Sequence, residues 1–517
     1  MTRLVLLIGG LTALAPAALL AQQSRFPGPG RSYDKAASEP FWPGYGRNAQ
    51  HTAEATTGTQ PLNRILWQTP VDLQPQYTGN NLLIHYGSPL IARNGNVLIT
   101  VKTGATGGFQ IESRRAQDGV LQWTEVTDYI LPPHNWVPSC GSTLTPDNRL
   151  ATPAAGGTIL LRADADRPNS GVQRVAFYGL ATYQANQAAF DNAVRINTPI
   201  VSDGSGNLFF GYHVNGNLPI SLSSGLARID AQGNATWASA ATLANDNSMR
   251  KVVYNCAPAI TPNGASLYVA VNSSNSSGGS AGYLLKLDST TLQQQARVWL
   301  YDVANPANNA SLYDDGTASP TIGPDGDVYF GVLENPFGVN HLRGWLRHFD
   351  STLTVSKLPG PFGWDDTAAI VPSSCVPQYT GTSTYFVLTK YNNYYQGGGN
   401  GLNRLGLFDP NASMIDPITN ATVMNAVLDI LGPTPDPAFP GGVREWCINT
   451  AAIDVAGRSA IVNCEDGIAY RWYFPTNSLT ESVVLTLGIG EAYTPTIVDG
   501  HGICFAMNNA TLYALGQ

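Results

Sequence analysis

The pattern of apolar and polar positions is dominated by one short phrase, which is clearest at residues 318–330. An apolar run ending at Ile322 is followed by the turn residues Pro324, Asp325 and Gly326, and then by a second apolar run, 328–330. Two apolar runs around such a turn predict a β-hairpin. Related phrases recur along the chain, each anchored by a proline or its equivalent, at positions 89, 143, 199, 258, 320, 369, 451 and 495.

The spacing of these anchors indicates a repeat protein. Successive gaps are 54, 56, 59, 62, 49, 82 and 44 residues, and each holds two to four apolar runs. A single hairpin cannot bury both of its faces, so each unit must pack on its neighbours. A period near fifty is typical of a propeller blade. The sequence therefore predicts an all-β fold, a single eight-bladed β-propeller of four-stranded antiparallel blades.

The two ends of the repeat region predict how the ring closes. The last repeat, 494–515, supplies only three strands, whereas 64–71 is a spare strand without a hairpin partner. Pairing the spare strand with 511–515 would complete the last blade and leave no open sheet edge. The longest gap contains an insertion in which Val423 to Leu431 predicts a short helix.

Composition and charge narrow the classes of partner. Charged residues make up only 12% of the chain, the net charge is −8, and no run of Lys or Arg occurs. These features predict no nucleic-acid partner. Apart from the first residues, no stretch is apolar enough to span a bilayer.

The N-terminus has the pattern of an export signal. Met1-Thr2-Arg3 precedes an apolar stretch to Leu20, and Ala21 is a small residue at the cleavage position. The alternative, a membrane anchor, is disfavoured by the glycines and proline within the stretch. We therefore expect a signal peptide at 1–21, an N-terminal arm at 22–60, the propeller at 61–517, and a secreted or periplasmic protein.

Several segments then reveal a family resemblance. The string 41–52 contains Trp-Pro, Tyr-Gly-Arg and Gln-His-Thr, and Asp118-Gly119 followed by Trp123 recurs as Asp230, Gly233 and Trp237. These segments resemble secreted proteins with PQQ-binding-like β-propeller repeats. In the alcohol dehydrogenases of that family, PQQ lies between a Trp and a ring formed by two adjacent cysteines, beside a calcium ion and a catalytic Asp. This chain has no adjacent cysteine pair. The resemblance therefore implies the fold without implying PQQ, and a calcium ion remains compatible with it.

The six cysteines allow disulfides in an exported protein. Cys447 and Cys464 flank a predicted hairpin turn at 455–458, which suggests a cross-strand disulfide. The alternative is two buried free thiols.

The candidate site lies where loops enter the innermost strands, because polar groups converge there in a propeller. We call this entrance to the central channel the funnel. Two adjacent loops each carry an aromatic residue followed by Asp-Asp. Such carboxylates can hold a cation or supply an acid/base pair, or they can simply cap turns. The tryptophans can stack on a ligand or pack between blades. The candidate ligand-binding residues are His85, Trp136, Asp314, Asp315, Trp364, Asp365, Asp366, Arg444, Glu445 and Glu491.

Two functions follow from this picture. The first is an exported binding or scaffold protein that presents its acid-rich funnel to a small molecule, a glycan or a protein. The second is a secreted enzyme, either a carbohydrate-active lyase or hydrolase or an oxidoreductase, that uses the funnel carboxylates. The fold alone does not choose between them.

Overall fold

The computed structural model describes residues 39–79, 81–82, 84–131, 140–275, 278–448, 450–486 and 494–517. Over these residues the chain forms an eight-bladed β-propeller of antiparallel blades, as the anchor spacing predicts. The predicted signal peptide, Trp136 and Glu491 lie outside the described residues. In the part of the chain that is described, no helix has both the length and the apolar character needed to cross a membrane.

In blades 1 to 7 the strands follow one another from the inner to the outer edge in chain order, whereas the outer strand of blade 8 comes from the N-terminal part of the chain. Blade 1 contains Leu90–Ile91, Val97–Lys102, Phe109–Arg114 and Leu121–Thr127. Blade 2 contains Thr143–Leu144, Leu150–Pro153, Ile159–Arg162 and Val172–Val175. Blade 3 contains Val194–Ile196, Val201–Ser202, Leu208–Val214, Gly225–Ile229 and Ala235–Ser239. Blade 4 contains Lys251–Val252, Ala259–Ile260, Ser266–Asn272, Gly282–Asp288 and Gln294–Trp299.

The second half of the ring repeats the pattern. Blade 5 contains Thr321–Ile322, Val328–Val332 and Trp345–Phe349. Blade 6 contains Ala369–Pro372, Tyr385–Lys390, Arg404–Ile415 and Thr422–Leu431. Blade 7 contains Ala452–Asp454, Ser459–Asn463, Ile468–Tyr473 and Ser478–Val484. Blade 8 contains Ile497–Val498, Cys504–Asn508, Thr511–Gly516 and Arg64–Pro70.

Short elements connect the blades. The strand pairs outside them are Tyr77–Thr78 with Asn81–Leu82, and Gly279–Ser280 with Leu312–Tyr313. The helices are Leu180–Ala185, Gln187–Ala193 and Ala240–Ala244, and the 3₁₀ turns are Ala155–Gly157, Ser373–Cys375, Tyr395–Gly397 and Phe474–Thr476. The helix predicted at 423–431 is wrong. This segment is the outer strand of blade 6, because the long strand Arg404–Ile415 pairs with it from Arg404↔Leu431 to Ile415↔Thr422.

The ring closes as the sequence predicts. The strand Arg64–Pro70 pairs antiparallel with Thr511–Gly516, from Arg64↔Gly516 to Pro70↔Thr511. Blade 8 is therefore built from both ends of the chain, and its outer position is occupied. Trp67 of this strand donates its indole N–H to the Ala116 carbonyl of blade 1 at 2.7 Å.

Residues 42–55 cross the inner edges of six blades. Their carbonyls accept backbone N–H groups from the inner strands, in the pairs Trp42–Ile91, Pro43–Leu144, Ala49–Ile260, Gln50–Ile322, Thr52–Ile370 and Ala53–Ile453. In each pair the donor is the apolar residue that ends the repeated anchor phrase. This segment, called the axial arm below, therefore satisfies inner-strand donors that would otherwise face the channel without a partner.

Candidate functional site

Tyr45 of the axial arm contacts the loops before blades 5 and 6. The buried Tyr45 hydroxyl donates to the Thr317 carbonyl at 3.1 Å and lies 2.7 Å from Thr367 Oγ1. Tyr45 also lines a cavity of about 20 Å³, together with residues that include His85, Ser142 and Thr317. A cavity of this size holds about one water molecule.

His85 links opposite sides of the channel. Its Nε2 lies 3.1 Å from the backbone carbonyl oxygen of Asp315, so the loop before blade 1 contacts the loop before blade 5. A carbonyl only accepts, so Nε2 carries the proton in this contact. Two of the predicted site residues are thus brought together, with the Asp315 backbone as the partner of the imidazole.

Asp314 belongs to a buried ion pair with blade 4. Its Oδ2 lies 2.8 Å from Lys251 Nζ, and its Oδ1 accepts the Tyr254 backbone N–H at 3.1 Å. Both side chains are almost completely buried. Burial lowers the pKa of Lys251, and the attraction of Asp314 opposes that shift. This pair joins two blades, and Asp314 therefore has a structural partner.

Asp365 and Asp366 gather around a second buried lysine. Lys390 Nζ lies 3.2 Å from Asp365 Oδ2, and Asp366 Oδ2 accepts the Lys390 backbone N–H at 2.7 Å. The other carboxylate oxygen of each Asp is buried without a hydrogen-bond partner among the described residues. Burial raises the pKa of Asp366 well above its usual range. Burial lowers the pKa of Lys390, but the two aspartates outweigh this effect and leave it raised.

A third group lies beside this lysine, in the loops on either side of the first hairpin of blade 7. The side-chain ligand atoms of Glu445, Cys447 and Glu465 all lie within 4.8 Å of one another. Burial raises the pKa of Glu465, and the charges of Arg444 and Lys390 oppose the shift. Arg444 itself lies 3.7 Å from Asp436. We call Glu445, Cys447 and Glu465 the blade 7 cluster.

The predicted disulfide is wrong in this structure. Cys447 and Cys464 are both buried free thiols. The hairpin register pairs Ala452 with Ile461, so its continuation would place position 466, and not Cys464, opposite Cys447. The Cys464 thiol instead donates to the Glu445 carbonyl at 3.2 Å.

Trp364, a predicted site residue, and Trp446, which adjoins Glu445, differ in their surroundings. Trp446 is fully buried and packs edge-on against Tyr470, with ring centroids 5.8 Å apart. Trp364 is half-buried, donates its indole N–H to the Leu342 carbonyl and contacts Tyr313 edge-on. Trp446 therefore packs between elements, whereas Trp364 is partly accessible.

Sequence reasoning missed Lys390, Cys447 as a ligand, and Glu465. Lys390 ends the apolar strand Tyr385–Lys390, and Lys102 ends Val97–Lys102 in the same way, with Asp72 as its buried partner at 3.0 Å. A lysine at the end of the largely apolar second strand of a blade is the signal that could have identified both. Glu465 lies in a short turn and carries no comparable pattern.

The comparisons with known proteins support the fold. No protein-family model and no curated protein sequence matches this chain. Among solved structures, a "Europium-containing methanol dehydrogenase" is similar with a TM-score of 0.56 and 10% identity, covering 90% of this chain and 89% of its own. The quinohemoprotein alcohol dehydrogenase of Comamonas testosteroni is similar with a TM-score of 0.50 and 10% identity. The match covers 93% of this chain and 82% of that protein. Quinohemoprotein alcohol dehydrogenase ADHIIG of Pseudomonas putida HK5 is similar with a TM-score of 0.50 and 11% identity. The match covers 93% of this chain and 77% of that protein. The chain therefore has a quinoprotein-type eight-bladed β-propeller fold.

Proposed function

We propose that this is an exported binding protein that holds a divalent transition-metal ion, with zinc as the best fit, at the blade 7 cluster. The observation that carries the proposal is the convergence of two carboxylates and one thiol within 4.8 Å of one another. Exported location follows from the leader sequence alone.

Charge balance supports a bound cation. Asp365, Asp366, Glu445 and Glu465 provide four carboxyl groups near two cationic groups, Lys390 and Arg444. Carboxylates in excess of cations in a buried region require protons or a metal ion. Burial raises the pKa values of Asp366 and Glu465, so these carboxyls favour a proton, which a metal ion could replace at Glu465.

The donor set favours zinc over calcium. Thiolate and carboxylate oxygen are both common zinc ligands, whereas calcium takes six to eight oxygen ligands. A thiol among three donors therefore argues against the calcium ion that the family resemblance allows. Lys390 opposes a cation, but Asp365 lies against its ammonium group and reduces that opposition.

Metal analysis tests this proposal. We expect the purified protein to bind one zinc ion, and Glu465→Gln and Cys447→Ser each to weaken binding at least about tenfold, by calorimetry and elemental analysis. Asp118→Asn, an exposed acid of blade 1, is the matched control and should bind zinc normally. Zinc should also protect Cys447 from alkylation. Equal zinc binding by both cluster variants and the control would reject the proposal.

An oxidoreductase is the second candidate, favoured by the dehydrogenases among the similar structures. The described residues do not fit PQQ on the axis. The cavity there is about 20 Å³, whereas sites for cofactor-sized ligands measure roughly 300–1,000 Å³. The chain also lacks the adjacent cysteine pair. A visible absorption band in the purified protein, with a redox cofactor in its denatured extract, would support this candidate over a binding protein.

A further inference from the structure

A second cavity lies on the funnel face between blades 4 and 5, away from the blade 7 cluster. Its volume is about 460 Å³, which is within the roughly 300–1,000 Å³ range of small-molecule sites. Tyr313 lines it and directly precedes Asp314, so the cavity opens beside the predicted funnel loops. We call it the blade 4–5 groove.

Short backbone segments that are hydrogen-bonded to one another form the floor of the groove. Gly279–Ser280 pairs with Leu312–Tyr313, and Ser311 exchanges two backbone hydrogen bonds of 2.9 Å with Leu333. A Cβ added to Gly279 would lie 2.0 Å from Ser311 Oγ and 2.4 Å from the Tyr313 ring. Glycine at 279 therefore allows the serine and the aromatic ring to approach the floor closely.

The wall chemistry is neutral. Glu334 is the sole acidic or basic residue among the described residues that line the groove. Its carboxylate is buried and accepts the backbone N–H groups of Leu342 at 2.7 Å, Gly344 at 2.8 Å and Gly338 at 3.2 Å. Its charge is therefore compensated within the protein, and the groove offers neither a free anion nor a free cation to a ligand.

The groove combines an exposed aromatic ring with neutral hydrogen-bonding groups. Phe337 lines the groove and is 67% exposed, so its ring is accessible to a ligand. Ser280 Oγ is buried in the wall and has no hydrogen-bond partner among the described residues. Asn309 and Asn335 add amide groups, and Asn335 is fixed by its 2.8 Å hydrogen bond to the Asn309 carbonyl.

We propose that the blade 4–5 groove binds a neutral oligosaccharide. A sugar ring presents an apolar C–H face, which can lie on Phe337, and a rim of hydroxyls, which can pair with Ser280, Asn309 and Asn335. An anionic ligand would lack a cationic partner among the described lining residues, and a purely apolar ligand would leave the Ser280 hydroxyl without a partner. This site is independent of the metal proposal.

Binding of defined oligosaccharides tests the proposal. Cellopentaose, maltopentaose, xylopentaose and mannopentaose are the probes, with tetragalacturonate as the charged comparison. We expect at least one neutral probe to bind, by saturation-transfer NMR and calorimetry. Phe337→Ala should weaken that binding about tenfold, and Ser280→Ala about threefold. Phe337→Trp should retain binding and report it by fluorescence.

A matched control separates the groove from general surface effects. Trp237 is 43% exposed on the outer strand of blade 3, and Trp237→Ala should bind the same probe normally. Circular dichroism of every variant should match the parent protein. Failure of all four neutral probes to bind, tighter binding of tetragalacturonate, or equal binding by Phe337→Ala and the parent protein would each overturn the proposal.

Discussion

His51 of the axial arm hydrogen-bonds to Pro320, the anchor proline of blade 5, across 269 positions of sequence: its Nδ1 lies 2.7 Å from the Pro320 carbonyl oxygen. The carbonyl only accepts, so Nδ1 carries the proton. His51 is fully buried, and its ring lies edge-on to Tyr45 with centroids 5.3 Å apart. This hydrogen bond joins the axial arm to the repeated anchor phrase of blade 5.

This histidine should make stability depend on pH. Burial lowers the pKa of His51 to about 4, whereas the unfolded chain has a value near 6.5. Between these values the unfolded state binds more protons, so the free energy of unfolding falls as pH falls. We expect this residue to account for a loss of about 2 kcal/mol between pH 7 and pH 5.

The variant His51→Asn removes the titrating group and keeps a side-chain N–H that can donate to Pro320. Urea unfolding at pH 7 and pH 5 should show a smaller pH dependence for this variant than for the parent protein. His501→Asn, at an exposed turn of blade 8, is the control and should keep the parent dependence. Equal dependence in all three proteins would contradict the assigned pKa.

The eight-bladed ring was predictable, because the sequence patterns that specify it are local and recur in every blade. Each anchor phrase specifies a short inner strand and a turn, and the same apolar position, such as Ile322 or Ile370, recurs at the inner edge. The spare strand at 64–71 also followed from counting strands. The segment 422–431 was misread because its neighbour Arg404–Ile415, a long-range partner, determines that it is extended.

The site was less predictable, because its contacts join residues far apart in sequence. The Asp-Asp pairs were visible, but Lys251 and Lys390, the ion-pair partners of Asp314 and Asp365, lie in different strands. The two Asp-Asp pairs also differ in their ion-pair partners. Asp314 pairs towards blade 4, whereas Asp365 and Asp366 pair with Lys390 of blade 6.

Replacement by asparagine should have a large effect on stability at Asp314 and a small one at Asp366. Asp314→Asn leaves Lys251 buried without its counter-charge, so we expect a loss of about 3–5 kcal/mol in the free energy of unfolding. Asp366→Asn replaces a carboxyl whose folded pKa is raised, and asparagine can still accept the Lys390 N–H. We expect a change within about 1 kcal/mol at pH 7.

The pH dependence of the free energy of unfolding provides a second test of the Asp366→Asn variant. A carboxyl with a raised folded pKa loses stability as pH rises above its unfolded value near 3.9. Asp366→Asn should therefore gain stability relative to the parent protein as pH rises from 4 to 7. Denaturant unfolding at several pH values measures both effects. A large loss in Asp366→Asn at pH 7, equal to that of Asp314→Asn, would contradict this account.

The junction between blades 8 and 1 leaves no room for a side chain at Gly119. Gly119 has a φ of +71°, and an added Cβ would lie 2.7 Å from Cδ2 of Trp67 on the closing strand. Gly119→Ala should therefore combine left-handed backbone strain with a clash against the indole ring. Gly95→Ala is the matched control, since Gly95 has a φ of +84° and nothing within 4 Å of an added Cβ.

We expect Gly119→Ala to lower the free energy of unfolding by at least about 1 kcal/mol more than Gly95→Ala. Thermal and urea unfolding measure the difference. Combining Gly119→Ala with Trp67→Ala should recover part of the extra loss, because the clash partner is gone. Strict additivity of the two substitutions would show that Trp67 is not the source of the extra cost.

Tyr45 provides the most direct test of the axial arm as a structural element. Its hydroxyl is buried, donates to the Thr317 carbonyl and lies 2.7 Å from Thr367 Oγ1, so it joins the arm to the loops before blades 5 and 6. Tyr45→Phe preserves the ring and deprives both oxygens of this partner, which should cost about 1–3 kcal/mol. Tyr301→Phe, at an exposed tyrosine of blade 4's outer edge, should change stability by less than about 0.5 kcal/mol. If unfolding of Tyr45→Phe matched that of Tyr301→Phe, the arm would not stabilise the ring through this hydroxyl, and its backbone hydrogen bonds alone would account for its position.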